Sequence, residues 1–214
     1  MKTTVFKLAS PSYEQIDPHF DIYDESFSVP TLPAYAVLNH HIDCDRTYMG
    51  DYMGNNGYEI VGDKVTVKGV RGGFPGEITT AVLTIQFSGI RDYTLLFPQV
   101  ENDSLRTRLG QFAEEAEKAF EVGAWMSFTI MATSVLEGVL FDIYDKYHFH
   151  ELISAANADD VITEDEAGLL DNAREIRNRV HASKYQQPFS DRKISNDLYV
   201  LYDKLIKKNW GKND

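Results

Sequence analysis

"VGAWMSFTIMATSVLEGVLF", residues 122–141, is the longest apolar run in the chain. A bilayer-spanning helix needs about 20 mainly apolar residues. This run has the length, but Glu137 interrupts it and several hydroxyls are scattered along it. It reads instead as a buried helix over roughly 123–146, apolar on most faces and central to a bundle. Its neighbours support that reading. "DSLRTRLGQFAEEAEKAF", 103–120, places Leu105, Leu109, Phe112, Ala116 and Ala119 on one stripe, with Asp103 or Ser104 able to cap the first turn. "HFHELISAANA", 148–158, is a short helix. "TEDE", 163–166, has the spacing of a capping box, Thr163 at the cap and Glu166 three residues on, and starts a helix running to about Ser183. Ser190 can cap a last helix, with Ile194, Leu198, Leu201 and Leu205 as its stripe; Lys207 and Lys208 suit its negative end, and Gly211 follows its stop.

The first hundred residues read differently. They hold six of the seven prolines and several strand-like runs: "TTVFKLA", "AYAVLNHHI", "YEIVGDKVTVKGV", "AVLTIQFSG" and "DYTLLFP". Gly62-Asp63 marks a hairpin turn, and "GNNG", "RGGFPGE" and "SGIRD" punctuate the rest. The fold class expected is therefore α+β. A mostly antiparallel β domain, 1–100, precedes an all-α bundle of four or five helices, 101–214, with the boundary near "FPQVENDS", 97–104.

Of the 214 residues, 33 are Asp or Glu and 21 are Lys or Arg, a net charge of −12. That balance opposes general coating of nucleic acid or of an anionic membrane. The single cysteine, Cys44, allows no internal disulfide, and the N-terminus lacks the apolar run of a signal peptide, so a cytoplasmic location is expected. "HHIDCD", 40–45, offers His40, His41, Asp43, Cys44 and Asp45, but strand alternation splits them between two faces and no second ligand pair is evident; no metal site is expected. "RGGFPGE" lacks the Lys-Ser/Thr of a phosphate loop, and no nucleophile elbow occurs, so no cofactor is expected either.

Against this acidity stands "LLDNAREIRNRVHAS", 169–183. Between 171 and 193 there are six Lys or Arg and three Asp or Glu. On a continuous helix Leu169, Ala173, Ile176 and Val180 form the core stripe, and Leu170, Arg174, Arg177 and His181 a parallel one beside it. Glu175 is placed to pair with Arg179. A guanidinium matches a phosphate bidentately and a histidine exchanges a proton near neutrality. Together they suit metal-free RNA cleavage: His181 as proton carrier, Arg177 as phosphate ligand. A plainer account competes, because the macrodipole favours cations in any helix's last turns.

An Arg-Asn pair shortly followed by His, late in a small helical bundle, resembles the HEPN superfamily. "EEAEKAFEVGAWMSFTIMATSVLEGVLFDIY", 114–144, resembles the first paired helices of its DUF4145-like group, and the resemblance covers about 105–208. It implies a homodimer formed through the bundle, with RNA as the ligand. In active members it implies a metal-independent endoribonuclease, often serving defence or acting as a toxin; other members are non-catalytic binding or interaction modules. Carried over, Arg177 and His181 are the catalytic pair, Asn178 the polar residue after the arginine, and Glu137 the acidic position that in some members faces the site; Arg174 and Asn178 shape the phosphate site. The spacing departs from the family pattern of four to six intervening residues. Three separate Arg177 from His181 and six separate Arg174 from His181, which leaves the functional arginine open. The alternative is a non-catalytic dimerisation or adaptor module whose β domain recognises a partner.

Overall fold

The structure, a computed structural model, describes residues 1–19, 22–44, 57–71, 81–146 and 148–210. Asp45, the "GNN" of 54–56, the glycine-rich run from 72 and Gly211 lie outside the described residues. The fold is α+β: among the described residues, antiparallel sheets of seven strands precede five α-helices. The chain divides between Asp92 and Tyr93 into two compact units.

The β unit contains β1 (Lys2–Leu8), β2 (Ser12–Asp17), β3 (Ile22–Ser28), β4 (Tyr35–Cys44), β5 (Tyr58–Val61), β6 (Lys64–Arg71) and β7 (Ala81–Ile90). One sheet has the order β1-β7-β4 and the other β2-β3-β6-β5. Strand β7 shows why the first sheet has one dry face. Ala81, Leu83, Ile85 and Phe87 alternate inward and are buried, the period of two that a half-covered strand requires. Tyr35 packs edge-on between Phe6 and Phe87, at centroid distances of 5.6 and 5.0 Å. β5 and β6 pair across Gly62-Asp63, with Gly62 at φ +64, where a side chain would be strained. The Tyr58 hydroxyl lies 2.9 Å from both the His40 carbonyl oxygen and His40 Nδ1, joining β5 to β4. Two strands, β2 and β3, have too little apolar alternation to be read from sequence; in β3 Glu25 and Phe27 are the buried residues. Conversely, "DYTLLFP" is no strand: Tyr93–Leu96 is a 3₁₀ turn belonging to the helical unit.

The helical unit contains α1 (Asp103–Glu121), α2 (Trp125–Tyr144), α3 (Phe149–Ala158), α4 (Glu164–Arg177) and α5 (Arg192–Lys207). Helix α2 contacts the other four. Eight of its residues, Phe128 and Leu136 among them, are buried, so a helix long and apolar enough to span a bilayer serves as a core helix. α1 passes close to it because position 138 is glycine: a Cβ there would sit 2.5 Å from Leu109 Cδ2. The buried stripe of α1 is Leu109, Ala113, Ala116 and Ala119, leaving Leu105 and Phe112 at its margin, half-covered.

Local side-chain bonds set the helix starts. Asn102, not Asp103 or Ser104, caps α1, its Oδ1 accepting from Ser104 N and Leu105 N. Asp191, not Ser190, caps α5. Ser190 is buried, its hydroxyl 2.8 Å from Thr129 Oγ1 and 3.2 Å from Ser195 Oγ. The α4 capping box forms as expected: Glu166 N donates to Thr163 Oγ1 and Thr163 N to Glu166 Oε2.

Glu166 also accepts two bonds from Lys204 Nζ of α5, at 2.7 and 2.8 Å. Burial alone pushes its carboxyl up, but the bonds from Lys204 and Thr163 outweigh that and hold it below its ordinary value. A depressed carboxylate contributes stability above its unfolded pKa and loses it as pH falls through the folded one. Glu166→Gln keeps a side chain that a capping box accepts while removing the charge. It is expected to cost about 0.5–1 kcal/mol at neutral pH, the range of a partly exposed pair. The difference from wild type should shrink in acid, as pH falls through the lowered folded pKa of Glu166. Denaturant titrations at neutral and acid pH check this.

Candidate functional site

The residues singled out around 169–183 do not lie on one continuous helix. α4 ends at Arg177, and two 3₁₀ turns follow, Asn178–Val180 and Ala182–Lys184. Between them His181 has φ −69 and ψ 131, extended backbone. The reason is packing. The buried face of α4 is Leu170, Ala173 and Ile176, not the stripe through Leu169 and Val180. Val180 is 52% exposed, and Ala182 and Ser183 are also exposed, so these three give a further turn no buried anchor. Tighter 3₁₀ bonds then close the helix end: Asn178 N donates to the α4 carbonyls, and Lys184 N to His181 O at 2.9 Å. Arg177 and His181 are therefore not one α-helical turn apart.

Each candidate has its own setting. Arg177 forms an ion pair with Glu137, from Nη1 to Oε2, joining α4 to α2 across forty residues of sequence. Both side chains are about one quarter to one third exposed, and the Arg177 guanidinium lies 5.8 Å from the Phe149 ring centroid. Arg174 is occupied within its own helix, Nε donating to Asp171 Oδ1 at 3.0 Å. Asn178 is the C-cap of α4. His181 is exposed, and its ring has no hydrogen bond among the described residues. Of the five candidates, the fold joins Glu137 to Arg177 and leaves the others apart.

Arg179, expected to pair with Glu175, instead donates from Nη1 to the Pro188 carbonyl oxygen at 2.9 Å. That bond ties the start of the α4–α5 connection to its end, while the Ser190 hydroxyl pair with Thr129 fixes it to α2. The connection presents two large aromatic side chains to solvent, Tyr185 at 77% and Phe189 at 63% exposure. From sequence, the tyrosines near the last helix read as core or interface residues rather than as base-stacking ones, whereas Tyr185 stands in solvent. The signal for Tyr185 and Phe189 was composition: each lies in a Gln- and Pro-rich stretch with no helical or strand period to bury it.

No group of three or more His, Cys, Asp or Glu suited to a metal ion occurs among the described residues. His40 and His41 are exposed on β4, and His148 and His150 stack on each other at 5.7 Å. The site is thus a helix terminus with one guanidinium held by a carboxylate, one exposed imidazole, and a cationic connection bearing exposed aromatics. No family model matches the chain, and neither curated proteins nor solved structures give a match.

Proposed function

We propose that the helical unit is a HEPN-like RNA-binding module of the cytoplasm, acting as a homodimer, that holds single-stranded RNA along the connection from Arg177 to Lys193. The exposed aromatics beside cations carry the reading. Tyr185 and Phe189 stand in solvent within a stretch that also holds Arg179, His181, Lys184, Arg192 and Lys193. Cations pair with phosphates, and exposed rings stack on bases whatever the sequence. Cleavage, in this reading, uses His181 to move a proton at the ribose 2′-OH or the leaving oxygen. Arg177 is the phosphate ligand: a guanidinium carries five N–H donors, so the bond to Glu137 leaves others for an anion.

The test is titration of a labelled single-stranded RNA oligonucleotide by fluorescence anisotropy. Tyr185→Ala and Phe189→Ala are each expected to cost about 1–3 kcal/mol of binding. Lys184→Ala should lower the slope of log affinity against log salt by about 0.7, one phosphate contact on a single strand. No binding at low salt, or binding indifferent to all three changes, sinks the proposal.

The Arg177–Glu137 pair favours a second reading, a non-catalytic adaptor in which that pair braces α4 against α2 and the β unit recognises a partner. Its mark is that RNA is neither bound nor cut while the chain still forms dimers.

A further inference from the structure

Beside the Arg177–Glu137 pair, the margins of α1 and α2 line a groove of ≈ 300 Å³. The residues that fall outside the buried stripe of α1, Leu105 and Phe112, form part of its wall, together with Phe141 of α2 and Leu152 of α3. Phe141 is 38% exposed, large for an aromatic side chain on a core helix. Two cations complete the lining, Arg108 and Lys146. The Arg108 guanidinium lies 5.7 Å from the Phe112 ring centroid, and neither cation forms an ion pair with a described residue. The one carboxylate among the described lining residues, Glu137, is already neutralised by Arg177. Two uncompensated positive charges therefore face a half-covered aromatic wall, in a chain whose net charge is −12.

We propose that this groove binds a small organic anion with a flat aromatic body, its charged head engaging Arg108 and Lys146 and its ring lying against Phe112 and Phe141. The volume is that of the smaller ligand sites, which are lined mainly by apolar side chains with a few polar groups that fix orientation. Charge-assisted bonds from guanidinium and ammonium select the anion, and aromatic walls select a ring over an alkyl chain through offset or edge-on contact. Mononucleotides and aromatic carboxylates share this chemistry. The groove residues other than Glu137 are distinct from those of the RNA proposal, so either can fail alone.

The test uses the full chain and the fluorescent probe 1-anilinonaphthalene-8-sulfonate, an aromatic ring system with one anionic head. Saturation at one equivalent is expected, with Arg108→Gln and Lys146→Gln each weakening binding about tenfold. Both side chains are exposed, so their melting temperatures should match wild type. Displacement by uridine 5′-monophosphate identifies a nucleotide as the natural class; displacement by 2-naphthoate but not by the nucleotide identifies an aromatic carboxylate. Absent binding, equal affinity in both variants, or a bound probe that neither competitor displaces overturns the proposal.

Discussion

Phe128→Ala is expected to destabilise the helical unit by about 3–5 kcal/mol, the cost of removing a large ring from a core that cannot collapse around the gap. Phe128 is fully buried. Its ring meets Phe120 of α1 at 4.9 Å, and Tyr199 and Tyr202 of α5 at 6.1 and 6.4 Å between centroids. Phe120 is itself stacked on Tyr199 at 4.4 Å, so the cavity would be walled by rings held on different helices. Such a loss is a large share of the roughly 5–15 kcal/mol that stabilises a domain. Both tryptophans, Trp125 and Trp210, lie in the helical unit, so denaturation followed by their fluorescence reads that unit selectively. Val122→Ala, at a position 80% exposed, is the matched control and should change little. A Phe128→Ala loss under about 1 kcal/mol would mean that α2 is not the helix around which the others pack.

If the RNA proposal extends to catalysis, RNA incubated with the protein in EDTA is cut, and His181→Ala slows the cutting about 10²–10⁴-fold, the range of a lost general acid–base group. Arg177→Ala should slow it further than the loss of RNA affinity explains, because electrostatic stabilisation acts as charge builds on the phosphate. Glu137 gives the sharper experiment. It holds Arg177, and Glu137→Gln keeps its shape while removing its charge. Release of the guanidinium should then tighten RNA binding and steepen the salt dependence by about 0.7. The adaptor reading predicts the opposite pattern: Glu137→Gln loosens the brace between α4 and α2, lowers the melting temperature and leaves RNA untouched. Cutting that survives His181→Ala at the wild-type rate removes the histidine from any catalytic role.

The relation between sequence and structure is clearest at α4. Thr163 and Glu166 lie three residues apart and bond through each other's backbone, so the start of the helix was legible from four letters. The same holds for the Gly62-Asp63 turn, whose conformation belongs to the residues themselves, and for β7, whose alternation repeats every two residues. α2 was legible for a related reason: an apolar run without a polar face can be stable in water only when other elements cover it. The end of α4 had no such marker. Periodicity continued through Val180, and extending it placed His181 one turn above Arg177. The helix stops earlier because burial, not periodicity, sustains it, and Val180 is half exposed. The caps at Asn102 and Asp191 lie one or two residues from the expected ones, since neighbouring polar residues offer equivalent oxygens.

By itself, then, the sequence determined the α+β class, the central helix and the cationic stretch in an acidic chain, because each is written in spacings of two to four residues or in bulk composition. Tertiary structure alone decided that Arg177 meets Glu137, that β1 pairs with β7, and that His181 leaves the helix. The first two depend on contacts between residues forty or eighty positions apart and the third on the exposure of Val180; in each the covering of apolar surface, rather than any local preference of the backbone, has the larger free energy.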